Sequence, residues 1–446
     1  MTIGGELIGW QVEKTTRNTI DVLEKTCRAV SVSNVVGIVG SALSREAHLI
    51  AAFGEKTGIP VISYAATDPN LSNRNVYPTF YRTIPSDNAA ASTLVKLFNR
   101  FKWTSCIIIY QNDAFGSNGA KTINEAFNSS GLIVRRMIEF DIDIFNIRGD
   151  LQRLLTKSAT RIIVLWAESI YTSLIVQYAL DQNLVGPYFT WILSSRISLN
   201  SFNEIYHQNL IEMLLIEPLI DSTASQSINT TLLNAAYRIW QQYEPKSFPG
   251  SMNINHYGLF AFDATWSLIQ SLQQLCSSKT NSILCLLFVE SSFCFDHRLV
   301  QLKLLLDTVS ATEFLGVSSS IQFSVHITDQ IKDSYYSIKN AQLSSNGLSF
   351  VPILEHSEPS YWRMPTEENV IIWPGNLLIK PTDQAMLKDV RLRIGVMESP
   401  PFTIVENVID ASGKNTTQLY GYVPDLIELL QKRLGFISDI QLETSN

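Results

Sequence analysis

Charge is scarce in this chain and does not cluster. Only 17% of residues are charged, 34 basic against 41 acidic, and no block of five or six basic residues occurs. That distribution argues against a nucleic-acid partner, which needs a basic face to neutralise phosphates. No apolar run reaches the roughly 18 residues of a membrane helix, and the segment Met1–Glu6 has neither the basic nor the apolar region of a signal peptide. Histidine is rare and scattered, at six residues, with no Cys-x-x-Cys or paired-histidine spacing, so no metal site is expected. The catalytic signatures Gly-x-Ser-x-Gly, P-loop and His-Glu-x-x-His are missing as well. Gly37–Gly40 lacks the third glycine of a dinucleotide fingerprint, and the Asp141/Asp143 pair has no partner histidine and reads as a solvated loop. Neither an enzyme nor a cofactor is expected.

What is present is apolar sequence in quantity. At 446 residues, 46% of them hydrophobic and 10% aromatic, the chain can bury a sizeable core, which excludes disorder and allows about two to four domains. Of five cysteines, Cys106 lies in the apolar run Cys106–Tyr110 and reads as a buried free thiol. Cys276, Cys285 and Cys294 crowd one stretch, suiting one disulfide plus a leftover; the pairing among these and Cys27 is open. Four Asn-x-Ser/Thr triplets, at Asn70, Asn128, Asn229 and Asn415, adjoin polar or turn-like sequence and favour a secreted, glycosylated surface.

Strand and helix signals alternate over the first two hundred residues. Apolar runs at 35–39, 61–64, 106–110, 161–166 and 188–192 read as buried strands. Between them, 44–58, 88–101, 119–128 and 169–182 read as helices, Gly58 closing the first. This rhythm predicts parallel sheets with helices on both faces. Beyond residue 200 a long helix is expected over 258–275, and 316–323 and 334–338 alternate like a hairpin. Residues 355–390, with prolines at 359, 365, 374 and 381 and little periodicity, read as a linker. A fresh strand, Leu392–Val396, and a helix, Val423–Leu434 stopped by Gly435, then open an α/β unit that the C-terminus looks to cut short.

The turn Gly40-Ser41-Ala42-Leu43-Ser44 follows a buried strand and opens a helix, so backbone N–H groups and hydroxyls face the strand's carboxyl end. Helix capping by Ser41 or Ser44 explains it, and so does holding a carboxylate. A second strand end, Ala65-Ala66-Thr67, is expected to open on the same crevice.

These segments, in order, resemble a known family. Ile62–Arg74, Tyr77–Asp87, Phe101–Trp103, Asp113–Gly116 and Tyr257–Trp266 are similar to the receptor ligand-binding region of metabotropic, GABA-B and ionotropic glutamate receptors, from about residue 20 to 350. Ile371–Gly375, Leu392–Val396, Pro400–Phe402 and Tyr420–Leu426 resemble the approach to, and the start of, the glutamate-binding domain of ionotropic and plant glutamate-receptor-like channels.

The resemblance implies an α/β, bilobed type I periplasmic-binding-protein clamshell of two doubly wound parallel-sheet lobes, followed by a linker and an incomplete second α/β domain. Its boundaries are 1–354 for the receptor ligand-binding region, lacking the first strand and helix of lobe one, then 355–390 for the linker and 391–446 for the start of the glutamate-binding domain. Carried over, Ser41, Ala42 and Ser44 match the turn that receives an amino-acid carboxylate, and Ala65 and Thr67 the positions that take its amino group. Phe115 stands where metabotropic receptors carry tyrosine, and Ser195 where they carry an aspartate for the ammonium, a loss worth about 1.5–3 kcal/mol. In the second domain the aromatic lid falls at Leu419, with Tyr420 one step away.

The implied protein is the extracellular part of a ligand-gated cation channel at the plasma membrane. It would take a small amino-acid-like ligand or modulator, assemble as a homo- or hetero-oligomeric dimer of dimers, and join the membrane through a C-terminal region. A class C G-protein-coupled receptor ectodomain, suggested by the GABA-B-like Leu71–Arg74 and Tyr77–Phe80, and a soluble solute-binding protein are the alternatives.

Overall fold

Short apolar runs alternating with amphipathic helices form two separate sheets in the computed structural model. It describes the chain except for residues 1, 4–5, 17, 145, 148–149, 220–227, 251–253, 278–287, 290–292, 297, 300–301, 325, 330–335, 346, 358–360, 365–369, 385–390, 410–414 and 444–446. The chain divides into two units, Met1–Asp383 and Gln384–Asn446.

Lobe one of the first unit is built on a three-stranded parallel sheet, Ile38–Val39, Val61–Ser63 and Phe80–Arg82. Helix Ser44–Thr57 turns Ala47, Ile50 and Ala51 toward Val61, Leu71 and Phe80 on one side of that sheet. It stops at Gly58, whose φ of 72° is the left-handed conformation that glycine adopts without penalty. On the other side, Ala264, Leu268, Leu272 and Leu275 of helix His256–Ser277 pack on Ile62 and Tyr81. Cys27 is bonded to Cys294, so Cys294 pairs far outside the crowded stretch where a disulfide was expected. Cys276 is also disulfide-bonded, while Cys285 lies outside the described residues. Cys106 is a free, buried thiol whose pKa burial pushes up.

Lobe two carries a nine-stranded sheet. Its five central strands, Ile133–Asp141, Ser105–Gln111, Ile162–Trp166, Thr190–Leu193 and Leu214–Pro218, are parallel in that spatial order. Side chains alternate between the faces: Ile107, Ile109, Ile163 and Leu165 enter one core cluster, Cys106, Ile108, Ile162 and Val164 the other. Burial on both faces explains why the 105–111, 162–166 and 190–193 strands read as continuous apolar runs, each buried isoleucine contributing about 1.5–3 kcal/mol.

The expected hairpin between 316–323 and 334–338 does not form among the described residues. Ser320–Gln322 pairs with Glu313–Leu315, while Tyr336–Ser344 pairs with Leu214–Pro218 and Gly347–Ser357. Part of the proline-rich stretch after residue 355 is fastened to lobe two. Tyr361–Arg363 adds an edge strand, and Asn340 Nδ2 and Oδ1 bond the carbonyl and N–H of Ile372 at 3.1 and 2.8 Å. The Trp373 ring lies 5.0 Å from Phe101 and 5.9 Å from Trp103, and Asp383 Oδ2 accepts the backbone N–H groups of Thr104 and Ser105.

The second unit pairs Arg391–Val396 with Ile437–Leu442 in parallel, beside an antiparallel pair of Ile404–Ile409 and Asn415–Tyr420. Helix Tyr422–Leu434, ended by Gly435 at φ 76°, buries Ile427 against Val396 and Phe436. Among the described residues, no helix is long and apolar enough to cross a membrane.

Candidate functional site

The carboxyl ends of parallel strands are where open α/β sheets place ligands, and each lobe presents two such ends to the other. In lobe one, Gly40 at φ +131° turns the chain sharply after Val39. Ser41 Oγ donates to the carbonyl of Leu43, and the carbonyl of Ser41 accepts from Ser63 Oγ at 2.8 Å. Ser63 Oγ accepts in turn from the N–H groups of Ala65 and Ala66, and buried Ser44 Oγ from that of Asp68. The Ser41–Ser44 turn and the Ala65–Thr67 loop are thereby tied into one wall. Ser44 caps nothing, since the residue before the helix is Leu43, which has no capping side chain.

Arg82 holds that wall from behind. Its fully buried guanidinium bonds Asp329, Ser72 and the carbonyls of Ala66 and Asp68. Asp68, also buried, accepts from His48 Nε2 at 2.5 Å and from Asn118 Nδ2 at 2.9 Å, both through Oδ2. Asn118 lies on helix Ala114–Ser129 of lobe two, so this bond joins the lobes.

A second bridge is charged. Arg45 Nη1, on the first turn of the 44–57 helix, donates to Asp113 Oδ2 at 2.5 Å and to Glu168 Oε1 at 2.9 Å. The three side chains are 13%, 6% and 15% exposed. Both acids follow parallel strands of lobe two that neighbour each other, Asp113 after 105–111 and Glu168 after 162–166. Asp113 Oδ1 caps the 114–129 helix through the N–H of Gly116. Gln111 clamps Glu168, its Oε1 accepting the Glu168 N–H at 2.7 Å and its Nε2 donating to Oε1 at 3.3 Å. Burial acts to lower the Arg45 pKa, but Glu168 and Asp113 outweigh it and leave it raised.

Beneath these bridges, Asp87 opens helix Asp87–Phe101, which leaves lobe one for lobe two. Its carboxyl is completely buried, and desolvation pushes its pKa up to about 8. The Trp166 indole N–H lies near enough to oppose that rise, without hydrogen-bond geometry. Both groups fit under Gly119, where a Cβ would stand 2.1 Å from Trp166 Nε1 and 2.9 Å from Asp87 Oδ2.

Of the residues expected in the cleft, the Ser41 turn and the Ala65–Thr67 loop adjoin in lobe one. Phe115 stacks on Trp166 at 6.0 Å, and Ser195 follows the 190–193 strand, next to the strand that leads to Glu168. Arg45, Asp113 and Glu168 were not expected there, although both acids stand where buried runs end and helices begin. In the second unit Leu419 packs toward Val396 and Ile427, and Tyr420 is 43% exposed. Asn70 and Asn128 are exposed, Asn229 caps helix Thr230–Tyr243 through its side chain, and Asn415 opens a strand. Hollows of 440 and 390 Å³ elsewhere are lined by Pro69–Tyr77 residues and by Arg74, Tyr81 and Asp307, and neither includes the Ser41 turn or Asp113.

Comparison with known proteins bears on these features. The family model described as "Receptor family ligand binding region" matches residues 4–341. Glutamate receptor 2.2 of Arabidopsis thaliana is 24% identical over 428 residues, covering 90% of this chain and 44% of that protein. Glutamate receptor 3.1 of Oryza sativa subsp. japonica is 23% identical, over 78% of this chain and 39% of its own length. Taste receptor type 1 member 1 of Homo sapiens is 26% identical over 37% of this chain. The chain thus spans less than half the length of the plant relatives it matches.

Proposed function

Because the chain belongs to the receptor family ligand-binding region, we propose that it is the extracellular ligand-binding and assembly part of a glutamate-receptor-like, ligand-gated cation channel. The observation that carries this reading is the reach of the plant match. The first unit ends at Asp383, so a match covering 90% of the 446 residues extends into the second. A taste-receptor match covers only 37% of the chain, less than half the share the plant receptor covers. In this reading the second unit opens a glutamate-binding domain, with Leu419 and Tyr420 beside its ligand.

The first unit acts as a clamshell without catalysis. Its turn Ser41–Ser44 receives the carboxylate of an amino-acid-like ligand, Ala65 and Thr67 its amino group, and Phe115 and Ser195 close from lobe two. Closure transmits by differential affinity for open and closed states. Subunits assemble as dimers of dimers at the plasma membrane, with glycans on Asn70 and Asn128, where the side chains are exposed.

The test is voltage-clamp recording from cells expressing the complete gene product, under a panel of amino acids. A ligand-evoked cation current is expected. A second-messenger response without current, from a product with seven membrane spans, would overturn the channel reading.

A further inference from the structure

The cleft between the lobes already holds a cation, and it belongs to the chain. Arg45 leaves the turn proposed to receive a ligand's carboxylate and ends on two carboxylates from two different strands of the opposite lobe. Those carboxylates are preset rather than recruited. Asp113 is oriented by its own helix cap and Glu168 by Gln111, so the pair keeps its place whether or not Arg45 is there. A desolvated, oriented carboxylate pair is the arrangement that recognises guanidinium.

We propose that Asp113 and Glu168 form a guanidinium-binding subsite of the cleft, occupied in cis by Arg45 as a tethered ligand that holds the lobes closed. The inference rests on the clamshell reading above and adds its regulation. Opening separates Arg45 from both acids, and a free ligand with a guanidinium end enters by displacing it. Removing Arg45 takes away the cation that both poorly exposed acids share, and opening the lobes returns their charge to water. The Asn118–Asp68 bond opposes this as a second polar bridge, and it is uncharged on the lobe-two side.

The experiment measures the distance between nitroxides on unnatural side chains at positions 55 and 121, exposed sites on the facing helices of the two lobes, in the 446-residue chain. Wild-type chain should give one short, narrow distribution without any additive. R45A should lengthen and broaden it, and millimolar methylguanidinium should restore the short peak in R45A while leaving the wild type unmoved. D113N/E168Q should open the lobes as R45A does but stay open with methylguanidinium, which guards against a folding defect peculiar to one variant. An unchanged distribution in both variants overturns the proposal, as does opening of R45A that methylguanidinium fails to reverse. The same samples are titrated with an amino-acid panel. A wild-type shift with amino acid, with R45A indistinguishable from wild type, keeps the ligand reading and overturns the tethered ligand. Methylguanidinium rescue of R45A with no response to any amino acid upholds the tethered ligand and overturns the ligand reading.

Discussion

Asn118 Nδ2 donates to Asp68 Oδ2 at 2.9 Å, so a side chain of lobe two ends on a fully buried carboxylate of lobe one. The two ends of that bond are unequal. Asn118→Ala leaves Asp68 with His48 Nε2, the Asn70 N–H on its other oxygen and its place beside Arg82. Asp68→Ala strands His48, Asn70 and Asn118 together. Loss of one bond to a charged group costs about 1.5–3 kcal/mol, and D68A should exceed N118A by at least about 2 kcal/mol. All eight tryptophans precede residue 384, so urea unfolding followed by tryptophan fluorescence reads the first unit alone. Equal midpoints for the two variants would contradict the unequal partnership.

The buried carboxyl of Asp87 predicts a pH dependence whose sign is unusual for an aspartate. Its folded pKa of about 8 lies above the ordinary 3.8, so between those values the folded state holds a proton that the unfolded state has released. Stability therefore falls as pH climbs from about 4 to about 8. Glu212, raised to about 8 by burial, adds to that fall. His256, lowered to about 4 by burial, acts oppositely up to its ordinary 6.5 and no further. The clean window is pH 6.5 to 8. The melting temperature of the wild type should drop across it and that of D87N should drop less. Parallel slopes would mean that Asp87 is ionised in the fold.

How much of this was legible follows from what each feature depends on. Strands such as Ile162–Trp166 announce themselves because burial on both faces demands an unbroken apolar run. The 114–129 helix begins five residues before its apolar signal because Asp113 sets its start through a side-chain cap. The failed hairpin has a different cause. Tyr336–Ser344 finds one of its partners more than a hundred residues earlier, at Leu214–Pro218, and alternation reports face rather than partner. The docked stretch through Trp373 and Asp383 has no period to detect, being held by single anchors. Arg45, Asp113 and Glu168 lie far apart in sequence, and only the sheet order brings the two acids side by side.

The Cys27–Cys294 disulfide spans 267 residues, most of the first unit's chain. A bridge closing so long a loop removes much unfolded-state entropy and is expected to stabilise by about 2–5 kcal/mol. C27S/C294S should lower the urea midpoint of the tryptophan transition accordingly, with no change in the folded spectrum. A midpoint within error of wild type would show that the loop's entropy is limited by other means, such as the bond at Cys276.

Asp383 closes the first unit, and its carboxylate tests whether the connector is fastened or merely adjacent. Oδ2 accepts the N–H of Thr104 at 2.5 Å, its hydroxyl at 2.7 Å and the N–H of Ser105 at 2.9 Å, while the Asp383 carbonyl accepts from Arg161 N–H. Asp383 is buried, so D383A leaves two backbone donors at the edge of the 105–111 strand without acceptors, at about 1–3 kcal/mol each if water stays out. Indole packing should limit the damage, because Trp103 Nε1 still donates to the carbonyl of Pro381 and Trp373 still lies against Phe101. The expected outcome is therefore local: amide exchange at Thr104 and Ser105 accelerates by about tenfold or more, while Ile107–Ile109 keep their protection. D383N, which retains an acceptor oxygen, should exchange between the two. Uniform acceleration along 105–111 would mean instead that Asp383 supports the whole sheet, and no acceleration at Thr104 that the connector is held by its aromatic contacts.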